Sequence, residues 1–132
     1  MAEQLILETT FLIDLEREWS GVCPGACAGF LRSQGSARLY ICHITAGELA
    51  CGVGPSDRGR WERMVTPFHI LTHTIDVDWH YAQAFRHLRR RGELIAANDL
   101  WIAATALAYQ MPVVTRNVAH YERVPGLEVL AY

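Results

Sequence analysis

Glu8, Glu48, Asp99 and Asn117 are three carboxylates and one carboxamide drawn from four well separated parts of the chain. Glu8 follows the apolar run Leu5-Ile6-Leu7, Glu48 closes Thr45-Ala46-Gly47-Glu48, Asp99 opens an apolar helical pattern, and Asn117 follows Val114-Thr115-Arg116. Brought together they form an all-oxygen donor set, and such sets select hard divalent cations, Mg2+ or Mn2+, over zinc. Two of them also have a purely local explanation. Asn98 is expected to cap a helix, which leaves Asp99 in the first turn, where the helix dipole favours a carboxylate. Thr45 and Glu48 have the spacing of a capping box, in which hydroxyl and carboxylate satisfy free amides reciprocally. Cap or ligand is decided by whether the fold gathers these residues.

The elements that must position them follow from the apolar pattern. Gln4 to Leu7, Leu39 to Cys42, His69 to Thr72 and Pro112 to Thr115 read as short strands, the first an unalternating run of the kind covered on both faces. Leu127 to Leu130 is expected to close the sheet as an edge strand. Helices are expected from Phe11 to about Trp19, stopped near Gly21 and Pro24, and from Ala26 to Gln34. Others start at Thr45, span Ser56 to Thr66, and start under a cap at Asp76, where Val77, Tyr81, Ala84 and Leu88 keep helical spacing. The last helix runs from Asn98 to Tyr109, with Leu100, Ala103, Ala104 and Leu107 on one face. This alternation predicts one α/β domain over residues 1–132, a three-layer α/β/α arrangement around a parallel sheet of four to five strands. Ligands of such sheets bind at the carboxyl ends of the strands. Glu8, Thr9, Thr10 and Asn117 fall just after strands, and Glu48 and Asp99 lie at helix starts that face the same edge.

Composition narrows the function. With 51% hydrophobic and 20% charged residues the chain reads as a soluble globular protein. The start lacks a basic region and its apolar run is broken by Glu8 and Asp14, so a signal peptide and a membrane span are not expected, and the cytoplasm is the expected compartment. Cys23, Cys27, Cys42 and Cys51 are then expected as reduced thiols. A zinc site from Cys23-x3-Cys27 with Cys42, His43 or Cys51 lacks the paired Cys-x2-Cys spacing. A net charge of −2 excludes a global basic field for nucleic acid, so any such binding must be local. All twelve basic residues are Arg, clustered at Arg58, Arg60 and Arg63 and at Arg86, Arg89, Arg90 and Arg91. No nucleophile elbow and no phosphate-cradling Gly loop appear, which argues against a hydrolase or phosphatase of similar topology.

Four segments in order carry a resemblance: Leu5-Ile6-Leu7-Glu8-Thr9-Thr10-Phe11-Leu12-Ile13-Asp14, Ile44-Thr45-Ala46-Gly47-Glu48-Leu49 with Gly52-Val53, Ala97-Asn98-Asp99-Leu100-Trp101-Ile102-Ala103-Ala104, and the tail from Val114 to Leu127. Together they resemble the PIN-domain ribonucleases, specifically the VapC-type toxins of type II toxin-antitoxin systems. The resemblance implies an endoribonuclease whose acids surround Mg2+ or Mn2+. Carried across, Glu48 and Asp99 match the second and third acids, and Asn117 stands where other members have a fourth. Glu8 departs from the pattern, which has Asp there; the extra methylene displaces the carboxylate by about 1.5 Å. Misplacement on that scale can cost on the order of 10²-fold in rate. Glu8 therefore reads as an attenuating change, either natural or introduced.

On this reading Glu8, Glu48 and Asp99 are the catalytic acids, and with Asn117 they are the metal ligands. Thr10 and Thr115 orient a carboxylate or water, and Arg116 binds RNA phosphate. His43 and His120 lie within reach of the site without an assigned role, and Trp19, Trp61, Trp79 and Trp101 are expected as core or interface anchors. The resemblance also implies an antitoxin of the VapB type, contacting the helices near Phe11 to Trp19 and Arg58 to Met64, and a homodimer. The alternative is a catalytically inactive PIN module that acts as a protein-interaction partner, which Glu8 and Asn117 favour.

Overall fold

The computed structural model describes residues 2–21 and 25–132. Five parallel strands form its sheet: β1 (Gln4–Leu7), β2 (Arg38–Cys42), β3 (His69–Leu71), β4 (Val113–Val114) and β5 (Val129–Leu130), in the order β3-β2-β1-β4-β5. Among the described residues seven helices accompany them: α1 (Thr9–Trp19), α2 (Ala26–Ser33), α3 (His43–Cys51), α4 (Arg58–Val65), α5 (Ile75–Arg91), α6 (Ala97–Tyr109) and the single turn α7 (Val118–Tyr121). The expected α/β class is borne out, with all five strands parallel.

The central strand explains why the first apolar run does not alternate. Leu5, Ile6 and Leu7 are fully buried because β1 is paired on both sides and covered on both faces. Ile6 joins Leu71, Val113, Leu88, Leu100 and Ala103 in one core beneath α5 and α6. Leu5 and Leu7 face the other way, with Phe11, Leu15, Ile41, Leu49 and Val114 beneath α1 to α4. The three layers therefore follow from alternation of a strand that is apolar on both faces. Truncating a residue such as Leu100, 1% exposed, to Ala would cost about 2–5 kcal/mol by the usual cavity penalty.

Three cap expectations are corrected. α6 begins at Ala97 with Ala96 as its cap residue, so Asn98 caps nothing; its amide instead lies 3.5 Å from Glu48 Oε2. α3 begins two residues before Thr45, after Cys42, so no capping box forms and Glu48 loses its local explanation. Thr74, rather than Asp76, caps α5 by accepting the Val77 N–H, and Asp76 falls in the first turn. β2 runs directly into α3, whereas α6 follows α5 with no strand between them, and side-chain propensity alone revealed neither start.

Cys42 and Cys51 are unpaired thiols, while Cys23 and Pro24 lie outside the described residues. Trp61 ties α4 to α3 by donating to the Ala46 carbonyl at 2.8 Å, and Trp101 stacks on Tyr81 at 3.8 Å. Trp19 and Trp79 are exposed. No helix among the described residues is long and apolar enough to cross a membrane.

Candidate active site at the carboxyl edge of the sheet

The strand order reverses between β1 and β4, the place where doubly wound sheets open a crevice at their carboxyl ends. Glu8 leaves β1 at this point, its own N–H still bonded to the Val114 carbonyl at 2.9 Å. Thr115, Arg116 and Asn117 leave β4 beside it. α3 brings Glu48 to the same edge and the first turn of α6 brings Asp99.

Glu8 is buried and caps α1. A single oxygen, Oε2, accepts from the Thr10 N–H at 2.9 Å, from the Thr10 hydroxyl, and from the Thr115 hydroxyl at 3.0 Å. Thr115 in turn accepts the Asn117 N–H at 3.0 Å, and Thr10 accepts the Arg116 N–H at 3.1 Å. Burial pushes the Glu8 carboxyl above its ordinary range, against the lowering by these hydrogen bonds and with a further push from Asp99.

Glu48 is held by Thr9, whose hydroxyl donates to Oε1 at 2.7 Å and lies 3.1 Å from the buried Thr45 hydroxyl. Asp99 is half-buried and raised above its ordinary range, first by burial and then by the charge of Glu48, with the Tyr121 hydrogen bond and His120 acting the other way. The Tyr121 hydroxyl donates to Asp99 Oδ1 at 3.3 Å. Tyr121 is fully buried, and burial together with the charges of Glu8, Asp99 and Glu48 drives its phenol far up. One hydroxyl therefore feels all three carboxylates.

Of the residues named from sequence, Asp99 pushes the Glu8 carboxyl up and Glu48 pushes that of Asp99 up, and Thr10 and Thr115 both donate to Glu8. Asn117 is half-buried and begins α7 without a side-chain cap bond. Arg116 is turned to Asp14, its Nη1 2.9 and 3.0 Å from the two carboxylate oxygens, and the Tyr132 hydroxyl donates to Asp14 Oδ2 at 2.6 Å. The α5 arginines are elsewhere: Arg86 lies over Trp79, Arg89 over Phe85, and Arg91 pairs with Glu93. His43 faces His73. Thr9 was placed at the strand end without a role and Tyr121 was missed; the i, i+4 step from Asn117 to Tyr121 was the available signal.

The donor chemistry suits a hard divalent cation, because hard oxygen ligands are gathered with no Lys, Arg or His salt bridge to Glu8, Glu48 or Asp99 among the described residues. A closed cage is absent, since among the described residues no three His, Cys, Asp or Glu side chains converge closely enough to share one ion. Glu8 accounts for part of this, its Oε2 being engaged by three donors.

The PIN domain profile matches residues 6–127. A Ribonuclease VapC of Rickettsia bellii is 31% identical over 96% of this chain and 94% of its own. The structure of VapBC-1 from nontypeable Haemophilus influenzae contains a chain that superposes with a TM-score of 0.83 at 27% identity, covering 97% of each. A chain of the DNA-bound VapBC2 complex of Rickettsia felis shares the fold at a TM-score of 0.84 and 21% identity. With the sequence profile, the full-length relatives and the carboxyl-edge acids in agreement, this chain belongs to the PIN-domain family, on its VapC branch.

Proposed function

We propose that the protein is the toxin of a type II toxin-antitoxin system, an endoribonuclease dependent on Mg2+ or Mn2+ that hydrolyses RNA phosphodiester bonds. The observation that carries this reading is the gathering of Glu48 and Asp99, with Glu8 behind them, around one buried hydroxyl at the switch point of the sheet. Relatives named ribonucleases support it. Glu48 and Asp99 are the residues that hold the ion, and Asn117 offers a carboxamide oxygen to it or to a water. When bound, the ion supplies positive charge to the phosphate oxygens and acidifies water. Thr9 fixes the Glu48 carboxylate and Tyr121 the Asp99 carboxylate, which keeps both in place without reorganisation. Arg116, about half exposed on the rim, binds RNA phosphate from its seat on Asp14. Glu8, drawn onto its own helix, attenuates the site.

The partner is an antitoxin of the VapB type, as in the neighbouring VapBC complexes. A cleft of about 200 Å3 lined by Ile13, Leu49, Val53 and Met64, with Glu16 and Glu48 beside them, fits an apolar segment ending in a basic side chain. Exposed Ile70, Ile75 and Trp79 support a homodimer contact.

A second reading, an inactive PIN module that only binds partners, is favoured by the capped state of Glu8 and the uncharged Asn117. Incubation of the purified protein with total RNA, followed by end mapping, separates the two. The expected result is cleavage at defined sites with Mn2+ and none with EDTA. Cleavage that persists in EDTA overturns the metal-dependent reading, and absence of both cleavage and calorimetric Mn2+ binding, even in Glu8→Asp, establishes the inactive module.

A further inference from the structure

A second group of metal-ligating side chains lies where the start of α3 meets the β3–α5 connection. His43 Nε2 stands 3.4 Å from His73 Nδ1, and His73 Nε2 stands 2.7 Å from Asp78 Oδ1. A neutral His73 that donates from Nε2 to Asp78 presents a lone pair at Nδ1 toward His43. A separation of 3.4 Å is long for a nitrogen–nitrogen hydrogen bond. It matches the roughly 3.3–3.4 Å between two imidazole nitrogens that sit 2.0–2.1 Å from one tetrahedral Zn2+.

The surroundings hold this geometry in advance. The Thr72 carbonyl accepts from the Tyr109 hydroxyl at 2.7 Å, and Thr74 caps α5, so the residues on both sides of His73 are anchored. Trp101 packs edge-on against the His73 ring at 5.4 Å. A carboxylate on the distal nitrogen of a metal-bound histidine fixes its tautomer and raises its basicity, and Asp78 occupies that position. Both histidines are exposed, so solvent supplies the remaining ligands.

We propose that His43 and His73, oriented by Asp78, form a nitrogen-donor site for a borderline divalent cation, Zn2+, separate from the carboxylate site. The ion joins the first residue of α3 to the β3–α5 connection. Imidazole donors suit zinc and do not suit Mg2+, so the two sites differ in the metal they select.

Calorimetric titration of the full chain with Zn2+ alone tests this, using a Glu48→Gln/Asp99→Asn background so that binding at the acids is not counted. One equivalent of Zn2+ is expected in that background, unaffected by excess Mg2+. It should be lost in His43→Ala and in His73→Ala, and weakened about 10- to 100-fold in Asp78→Asn. Ring-nitrogen NMR should show His43 Nε2 and His73 Nδ1 shifting together on saturation, and thermal unfolding without metal confirms that each variant is folded. Zinc stoichiometry unchanged in both alanine variants, or ring nitrogens that do not move, overturns the proposal. Neither result bears on RNA cleavage.

Discussion

Glu8 and Asp99 both stand at the start of a helix on the same edge of the sheet, and the two junctions use their carboxylates differently. At the β1–α1 junction Glu8 is the cap residue, and three donors close on one of its oxygens. In α6 the carboxylate lies inside the first turn at Asp99, and Tyr121 is its hydrogen-bond donor. A carboxylate in the cap position is drawn into the helix it begins, whereas one a few residues later keeps its oxygens for other partners. The same residue chemistry therefore yields a structural group on one side of the site and an available one on the other.

The largest effect expected from breaking this contrast is at Asp99. Asp99→Asn should lower Mn2+-dependent RNA cleavage at least about 10²-fold while leaving the thermal midpoint unchanged or higher, because it relieves a half-buried charge. A fall in both together would mark Asp99 as structural. Glu8→Asp shortens the side chain and should raise cleavage and Mn2+ affinity, by up to about 10²-fold in rate. Equal activity in the two forms sinks the assignment of Glu8 as the weak member.

Thr115→Val removes one donor from Glu8 and the acceptor of the Asn117 N–H. A loss of about 1–3 kcal/mol in urea unfolding is expected, since buried polar partners are left unsatisfied. The smallest effect is the pH dependence of the metal-free protein. Glu8 and Asp99 both have folded pKa values raised above their ordinary ones, so between the two values the folded state holds more protons than the unfolded one. Their contribution to stability therefore falls as pH rises through that window and is recovered as pH drops below it. Comparison with Asp99→Asn, which lacks one of the two groups, should give a shallower decline.

Much of this was legible in the residues. The apolar runs located the strands to within one or two positions, and the period of Val77, Tyr81, Ala84 and Leu88 marked α5, whose residues Val77, Ala84 and Leu88 are buried. The four separated oxygen donors could be picked out too, because the places of Glu8 and Asn117 after strands and of Glu48 and Asp99 at expected helix starts are local readings. The helix starts were less legible. Asn98, Thr45 and Asp76 are all good cap formers, but the strand ends and the packing of α3, α5 and α6 decided where each helix begins. Tyr121 escaped notice because an aromatic near the end of a chain reads as core, which it also is.

Sequence by itself determined the alternation of strands and helices, the all-oxygen character of the donors, and the unusual Glu at position 8. Only the tertiary structure decided that Glu8 turns onto its own helix, that Thr9 and Tyr121 hold Glu48 and Asp99, and that His43 meets His73. The physical reason is range. Periodicity and residue type act over a few neighbours, whereas these contacts join residues 22 to 39 positions apart, Glu8 and its adjacent cap excepted, and exist only once the sheet has closed.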